Sequence, residues 1–425
     1  MHGSRSKKLI LACDSNAGEK TKAAVDILAQ DMSKAGFDVT AITVNAETDL
    51  AQYNQYNLIA VGAAGAEGAA LKSSLTGTKN TEYRLKTEVS EGMFRIWAVG
   101  SSDYSEVHAL QIFYSENVKN GRFSMPTHAS DIHNEPYLER DPGIIYYNGM
   151  YYSYANNGNG YAVYASSTIH EIYRSAKKAV FIADDYADFE GGGSYWAPEA
   201  HYYNGFFYLF GTYLNKNTGI RGTAVFRAET PEGPFEPWSD GFLTPSGEHS
   251  IDGTLYIDTD GTPYMVYVDE WIGNSDRIGR MAYVQLSKDL KKTVGEYHTD
   301  MFRSTDPVWT VDEITDGPWM YRCENGDLLM LWSTRDSNNY YCVGVAKSSN
   351  GRLDGVWTHS DKPLFTLDNS NIYCTLDGGH PCVFETSEGR IYLAVHYAND
   401  DSGETTVLLI PLTENDGMLY IDTVQ

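Results

Sequence analysis

Three aspartates, a tryptophan and a histidine stand at nearly the same place in a recurring pattern. Asp141, Trp196, Asp252, Asp316 and His380 each lie 8 to 10 residues before a turn glycine, at Gly149, Gly205, Gly261, Gly326 and Gly389. Aspartate before Pro or Gly is an ordinary turn former, because its side chain accepts hydrogen bonds from nearby backbone amides. Turn chemistry does not require three of them to keep phase over the repeats, so convergence on one point is the stronger reading. Carboxylates that meet in a polar, aromatic-lined pocket suit hydrolysis of a glycosidic bond. One activates water, a second protonates the departing oxygen, and a third raises the acid's pKa by like-charge repulsion.

Such convergence needs a particular scaffold. The segments YYNGMYYSYA, YYNGFFYLFGTY, DTDGTPYMVYVD, CENGDLLMLWS and SEGRIYLAVHY are short strands after polar-Gly turns. They repeat every 55 to 65 residues or so, as the blades of a β-propeller do. Equivalent positions of all blades then face one axis. From Tyr137 the chain shows strands separated by NG, DG, GGG and PEG turns with almost no helical periodicity, which predicts an all-β domain of five four-stranded blades over 137–425.

The first 125 residues read differently. KKLILAC, FDVTAITV, YNLIAVG, YRLKTEV and FRIWAVGS predict strands. Ala23, Ala24, Ile27, Leu28, Met32 and Ala35 keep helical spacing, and GAEGAALKSSL and SEVHALQIFYSENV predict further helices. This is a small α/β layered domain over 1–125, joined by a polar linker over 126–136. Gly62, Gly65 and Gly68 lack GxGxxG spacing and a partner acid, so tight strand-to-helix packing is preferred to a nucleotide loop. The first four residues, MHGS, resemble a cloning remnant.

A chain of 425 residues with net charge −25 is expected to be multi-domain and to avoid nucleic acid and anionic membranes, which would repel it. The expected partner is a neutral oligo- or polysaccharide, bound by a monomer. Tyrosine is abundant, with 32 residues, and is favoured both in strands and in sugar-stacking walls. Cys13, Cys323, Cys342, Cys374 and Cys382 show no CxxC spacing, so neither a zinc site nor a disulfide framework is indicated. No apolar run reaches membrane-spanning length. An extracytoplasmic location is expected, with any signal peptide lying outside this sequence.

The motifs RDPGIIYYNGMYYSYA, YWAPEAHYYNGFFYLF, SIDGTLYIDTDGTPYMVY, TDGPWMYRCENGDLLMLWS and GGHPCVFETSEGRIYLAVH resemble the five inner strands of glycoside hydrolase family 43. That resemblance covers nearly the whole second domain and implies a five-bladed propeller and an inverting reaction. It makes Asp141 the general base and Asp252 the residue that tunes and orients the acid. Trp196 becomes a pocket wall and Glu199 the acidic end of its WAPE motif. It sets His380 near the axis, facing a structural cation such as calcium or its water shell; no cofactor is implied for catalysis. The acid is usually Glu in E-G-P, whereas this chain has Asp316 in ITDGP, shorter by one methylene or about 1.5 Å. Glu313 falls outside the phase. The α/β domain resembles the accessory domain that precedes the catalytic domain of α-glucuronidases and β-hexosaminidases.

Other residues rank lower. Arg140 reads as an ion partner behind Asp141, and Arg335 as a strand-end residue able to reach a sugar hydroxyl. Tyr195, Trp271 and Trp319 read as packing or subsite aromatics. The pairs Asp258/Asp260 and Asp269/Glu270 read as turn and surface, while His201, His249 and His396 lack partners at ligand spacing. No EF-hand loop or HExxH is present. The expected activity is an exo-acting α-L-arabinofuranosidase. A β-D-xylosidase, a galactose-directed glycosidase and a non-catalytic sugar-binding propeller are the rivals.

Overall fold

The computed structural model describes residues 7–77, 81–119, 122–134, 139–367, 377–398 and 405–421. The chain divides into two units near Pro136 and Tyr137.

The first unit is a six-stranded sheet with three helices. The strands Asp38–Val44, Lys8–Asp14, Asn57–Val61 and Met93–Gly100 run parallel in that order. Tyr83–Ser90 and then Ser130–Asn134 add antiparallel strands at one edge. That last strand lies in the stretch expected to be linker. Its Ile132 is buried, and a backbone ladder to Tyr83–Thr87 fixes it, so a polar composition concealed a strand. Helix Glu19–Lys34 buries Thr21, Ala24, Val25, Leu28 and Met32 at the expected period, but the face is rotated, leaving Ala23 exposed. At Gly68 an added Cβ would lie 2.7 Å from the Gly62 carbonyl oxygen, so the glycines there serve a tight strand-to-helix turn.

The second unit is a five-bladed propeller, each blade a four-stranded antiparallel meander. The innermost strands of blades one to five are Gly143–Tyr147, Trp196–Tyr203, Ser250–Ile257, Asp316–Arg322 and Gly378–Glu385. The second strands are Met150–Asn156, Phe206–Leu214, Pro263–Asp269, Leu328–Arg335 and Ile391–Ala398. The repeat glycines sit in the hairpins between them, with φ from +73° to +91°, where a side chain would be strained. Blade five meets blade one through Cys382, whose Sγ accepts the Ile144 N–H at 3.2 Å. Cys13, Cys323 and Cys342 are likewise buried free thiols, and Cys374 lies outside the described residues. Aromatics fill the wedges between blades. Tyr161 packs edge-on to Tyr195 and Phe226, and Trp332 lies against Trp309 and Phe302. Many tyrosines are therefore core, including Tyr195.

Candidate active site

Every inner strand enters the ring through the same distortion. One residue near its start adopts a left-handed backbone: Asp141 (φ 49°), Ala197 (42°), Asp252 (56°), Gly317 (48°) and His380 (57°). In blades two to five the ladder also slips there, between Trp196 and Glu199, Ile251 and Thr254, Asp316 and Trp319, and Gly379 and Cys382. A bulge of this kind re-aims a side chain. The phase read from the glycines is therefore corrected by one residue in two blades. Asp141, Asp252 and His380 occupy the left-handed position itself, whereas Trp196 and Asp316 stand just before it. The dipeptides Asp141-Pro142, Ala197-Pro198, Asp252-Gly253, Gly317-Pro318 and His380-Pro381 carry this register in the sequence.

Side chains of the preceding blade hold these strained turns. The Asp252 N–H donates to Thr212 Oγ1 at 2.9 Å, the His380 N–H to Ser333 Oγ at 2.7 Å, and the Asp141 N–H to His396 Nδ1 at 3.2 Å. All three acceptors lie on second strands. Blade three offers Val268 at the matching place, and the Gly317 N–H donates instead to Asp252 Oδ2 at 3.1 Å. Gly317 itself is required, because a Cβ there would sit 2.9 Å from Cγ of His380.

The result is a cavity of about 530 Å³ on the propeller, lined by Asp141, Asp252, Asp316 and His380 at its centre. His380 Nδ1 lies 3.4 Å from Asp141 Oδ1 and 3.9 Å from Asp252 Oδ2. His396 Nδ1 lies 3.1 Å from Asp141 Oδ1. The Tyr341 hydroxyl donates to Asp316 Oδ2 at 3.1 Å. Arg140, Trp196, Trp271, Arg335 and Glu270 are among the other residues of the walls.

These surroundings drive the three carboxyls apart. Burial opposes ionisation of Asp141, but His380, His396 and Arg140 outweigh it and hold the carboxyl well below the usual range. Asp252 is pushed up to about 6, first by burial and then by the Asp141 and Glu199 charges, against the pull of His380 and of the Gly317 amide. Asp316 is raised well above the ordinary carboxylate range by burial and by Asp252 and Asp141. Burial disfavours a charged His380, yet the four surrounding carboxylates raise it. One ionised and one protonated carboxyl in a single pocket is the arrangement that acid–base catalysis needs.

Two residues of the inner-strand motifs, Glu199 and Trp319, lie outside the cavity lining. Glu199 is buried outside the cavity lining, with Oε2 lacking a hydrogen-bond partner and 3.6 Å from His201 Nε2. Trp319 stacks on His201 with ring centroids 6.3 Å apart. Both follow the left-handed residue of their strand by two positions, and Glu199 still acts on the site through its charge, which raises Asp252 and His380. Glu270, expected at the surface, is buried and paired with Arg221, and Asp258 is buried against Arg322 and Arg352. His396, without a partner at ligand spacing in the sequence, finds one 255 residues away, accepting the Asp141 N–H. Among the described residues no group of three or more His, Cys, Asp or Glu side chains is arranged to hold a metal. His380 Nε2 is buried without a protein hydrogen-bond partner. A single nitrogen would hold calcium there only with water supplying the oxygen ligands that this ion takes.

A propeller that gathers an ionised and a protonated carboxyl in one cavity has the parts that glycoside hydrolysis uses. Residues 136–419 match Glycosyl hydrolases family 43, and the chain belongs to that family. A solved endo-arabinase from Bacteroides thetaiotaomicron VPI-5482 is 32% identical with a TM-score of 0.58, over 66% of this chain and 96% of that one. A probable arabinan endo-1,5-alpha-L-arabinosidase B of Aspergillus fumigatus is 29% identical over 161 residues, 35% of this chain and 41% of the relative. Xylosidase/arabinosidase 43A of Humicola insolens is 36% identical over 78 residues, 18% of this chain and 23% of the relative. The matches thus span about two-fifths or less of the curated relatives' length.

Proposed function

We propose that the chain hydrolyses α-L-arabinofuranosyl linkages of a neutral plant polysaccharide or oligosaccharide with inversion of anomeric configuration. The observation that carries this reading is the separation of charge between Asp141 and Asp316 in one cavity. Asp141, ionised, takes a proton from a water that attacks the anomeric carbon. Asp316, protonated, gives its proton to the glycosidic oxygen as the bond breaks. Asp252 keeps that proton on Asp316 by like-charge repulsion, and its bond to the Gly317 amide ties it to the acid's strand. Tyr341 holds Oδ2 of Asp316, leaving Oδ1 to face the leaving group and anchoring a side chain shorter than glutamate.

The substrate class follows from the family and from the arabinan-directed names of the relatives. The reading here is exo-acting release of single arabinofuranosyl units. The names endo-arabinase and arabinan endo-1,5-alpha-L-arabinosidase favour a second reading, internal cleavage of arabinan. Digestion of linear arabinan with product sizing separates them: arabinose alone from the first minutes supports exo action, and a ladder of oligomers supports endo action. Proton NMR of the fresh product tests inversion. Failure on arabinofuranosides alongside cleavage of a xylopyranoside or galactofuranoside overturns the proposed sugar.

A further inference from the structure

Trp196 is 38% exposed and lines the cavity beside the carboxyls. A large exposed indole does not hold one orientation unaided, and a packed neighbour is needed on one side. That neighbour is Arg221, at the start of blade two's third strand, Arg221–Ala228. Its guanidinium carbon lies 5.1 Å from the Trp196 ring centroid. The guanidinium is itself fixed by a fork on Glu270 of blade three, through Nε to Oε2 at 3.0 Å and Nη2 to Oε1 at 2.6 Å. Glu270 is 3% exposed. The backbones are pinned as well: the Arg221 N–H donates to His249 Nδ1 at 3.3 Å, and the Glu270 N–H to the His249 carbonyl at 3.0 Å.

The geometry assigns Arg221 a positioning role: held by Glu270, it sets the Trp196 ring as a stacking platform for a sugar ring of the substrate. This rests on the saccharide reading above. A planar cation against an aromatic ring adds attraction and stiffness, and the bidentate fork leaves Arg221 few rotamers. The guanidinium donors in the fork face Glu270, so the contribution runs through the indole and not through a hydrogen bond to the substrate. The platform binds ground state and transition state alike, and its loss belongs in KM more than in kcat.

The test combines Arg221→Met, which keeps the stem and removes the charge, with Glu270→Gln and Arg221→Lys. Kinetics on arabino-oligosaccharides are paired with 19F NMR of protein labelled with 5-fluorotryptophan, the Trp196 line being assigned by Trp196→Phe. Arg221→Met is expected to shift or broaden that line and raise KM roughly 3- to 30-fold. Its kcat should stay within about threefold. Glu270→Gln should act in the same direction but less, and Arg221→Lys should restore part of both signals. An unmoved Trp196 line, or a fall in kcat at constant KM, overturns the positioning role. Should the wild type hydrolyse no arabinofuranoside, the catalytic reading fails separately. The resonance then decides alone, since a line indifferent to Arg221→Met or to added oligosaccharide overturns the platform as well.

Discussion

Replacing Asp316 by Asn removes a proton donor while keeping size and the hydrogen bond from Tyr341. In the native site that donor is kept protonated by burial and by the charges of Asp252 and Asp141. The amide cannot deliver a proton, so the loss should match the usual worth of general acid catalysis, about 10²- to 10⁴-fold. That corresponds to roughly 3 to 5 kcal/mol of barrier. The loss should depend on the leaving group. Arabino-oligosaccharides depart as alkoxides and need the proton, whereas a 2,4-dinitrophenyl arabinofuranoside departs without it. Steady-state kinetics on both, across pH, makes the test. The variant should show the whole of that loss, about 10²- to 10⁴-fold, on oligosaccharide but less than about tenfold on the dinitrophenyl glycoside. Its alkaline limb should vanish too, because that limb in the wild type reports deprotonation of Asp316. Equal losses on both substrates, or an alkaline limb that survives, would refute the assignment and leave the acid role open.

Further outcomes follow from the same electrostatics. Asp252→Asn should lower kcat about 10- to 100-fold and move the alkaline limb to lower pH, since Asp316 loses its nearest negative neighbour. It should also raise Tm. The folded state binds the Asp252 proton up to about pH 6 while the unfolded chain releases it near 3.8, so stability falls as pH rises between those values. The amide abolishes that fall, and scanning calorimetry should find the gain larger at pH 7 than at pH 4. Asp141→Asn should lower activity about 10²- to 10⁴-fold and, with the opposite sign, lower Tm at pH 7. Its folded carboxyl sits below the unfolded value, so its stabilisation is present above about pH 4 and lost as pH falls through the folded pKa. A rise in Tm for Asp141→Asn contradicts the charge assignment. Gly317→Ala places a Cβ 2.9 Å from the His380 ring at φ 48°. It should cost about 1 to 3 kcal/mol in denaturant unfolding, and kcat should fall as His380 shifts against Asp141.

Blade number and strand order were legible because hairpin chemistry is local. Asn148-Gly149 and Asn204-Gly205 both take positive φ, and each such turn marks one blade without reference to the rest of the chain. The α/β unit was legible for the same reason, apart from Ser130–Asn134, whose hydrophobic content is too small to signal a strand. The supports of the site were not. Thr212, Ser333 and His396 matter because each stands on the strand beside the next blade's turn, a relation set by ring closure over up to 255 residues. Glu270 looked like surface because no pattern in the sequence predicts that Arg221, 49 residues earlier, lies across the blade junction.

The one-residue offset of Asp316 has a physical basis that also bears on its length. At the left-handed position a side chain enters the ring beside its counterparts in the other blades, as Asp141, Asp252 and His380 do. In blade four that space is already filled by the His380 ring, and only Gly317 fits. An acid placed there would collide with His380 and crowd Asp252. One residue earlier it reaches the cavity from the wall, where Tyr341 meets it. The base and acid of the proposed mechanism thus enter from different positions of the bulge. In that setting the length of the acid is set against Tyr341 as much as against the axis. Asp316→Glu therefore pushes the carboxyl past its tether, and the prediction is a loss of activity, read as kcat on oligosaccharide. A gain would mean that the aspartate is merely a short substitute and that Tyr341 does not position it.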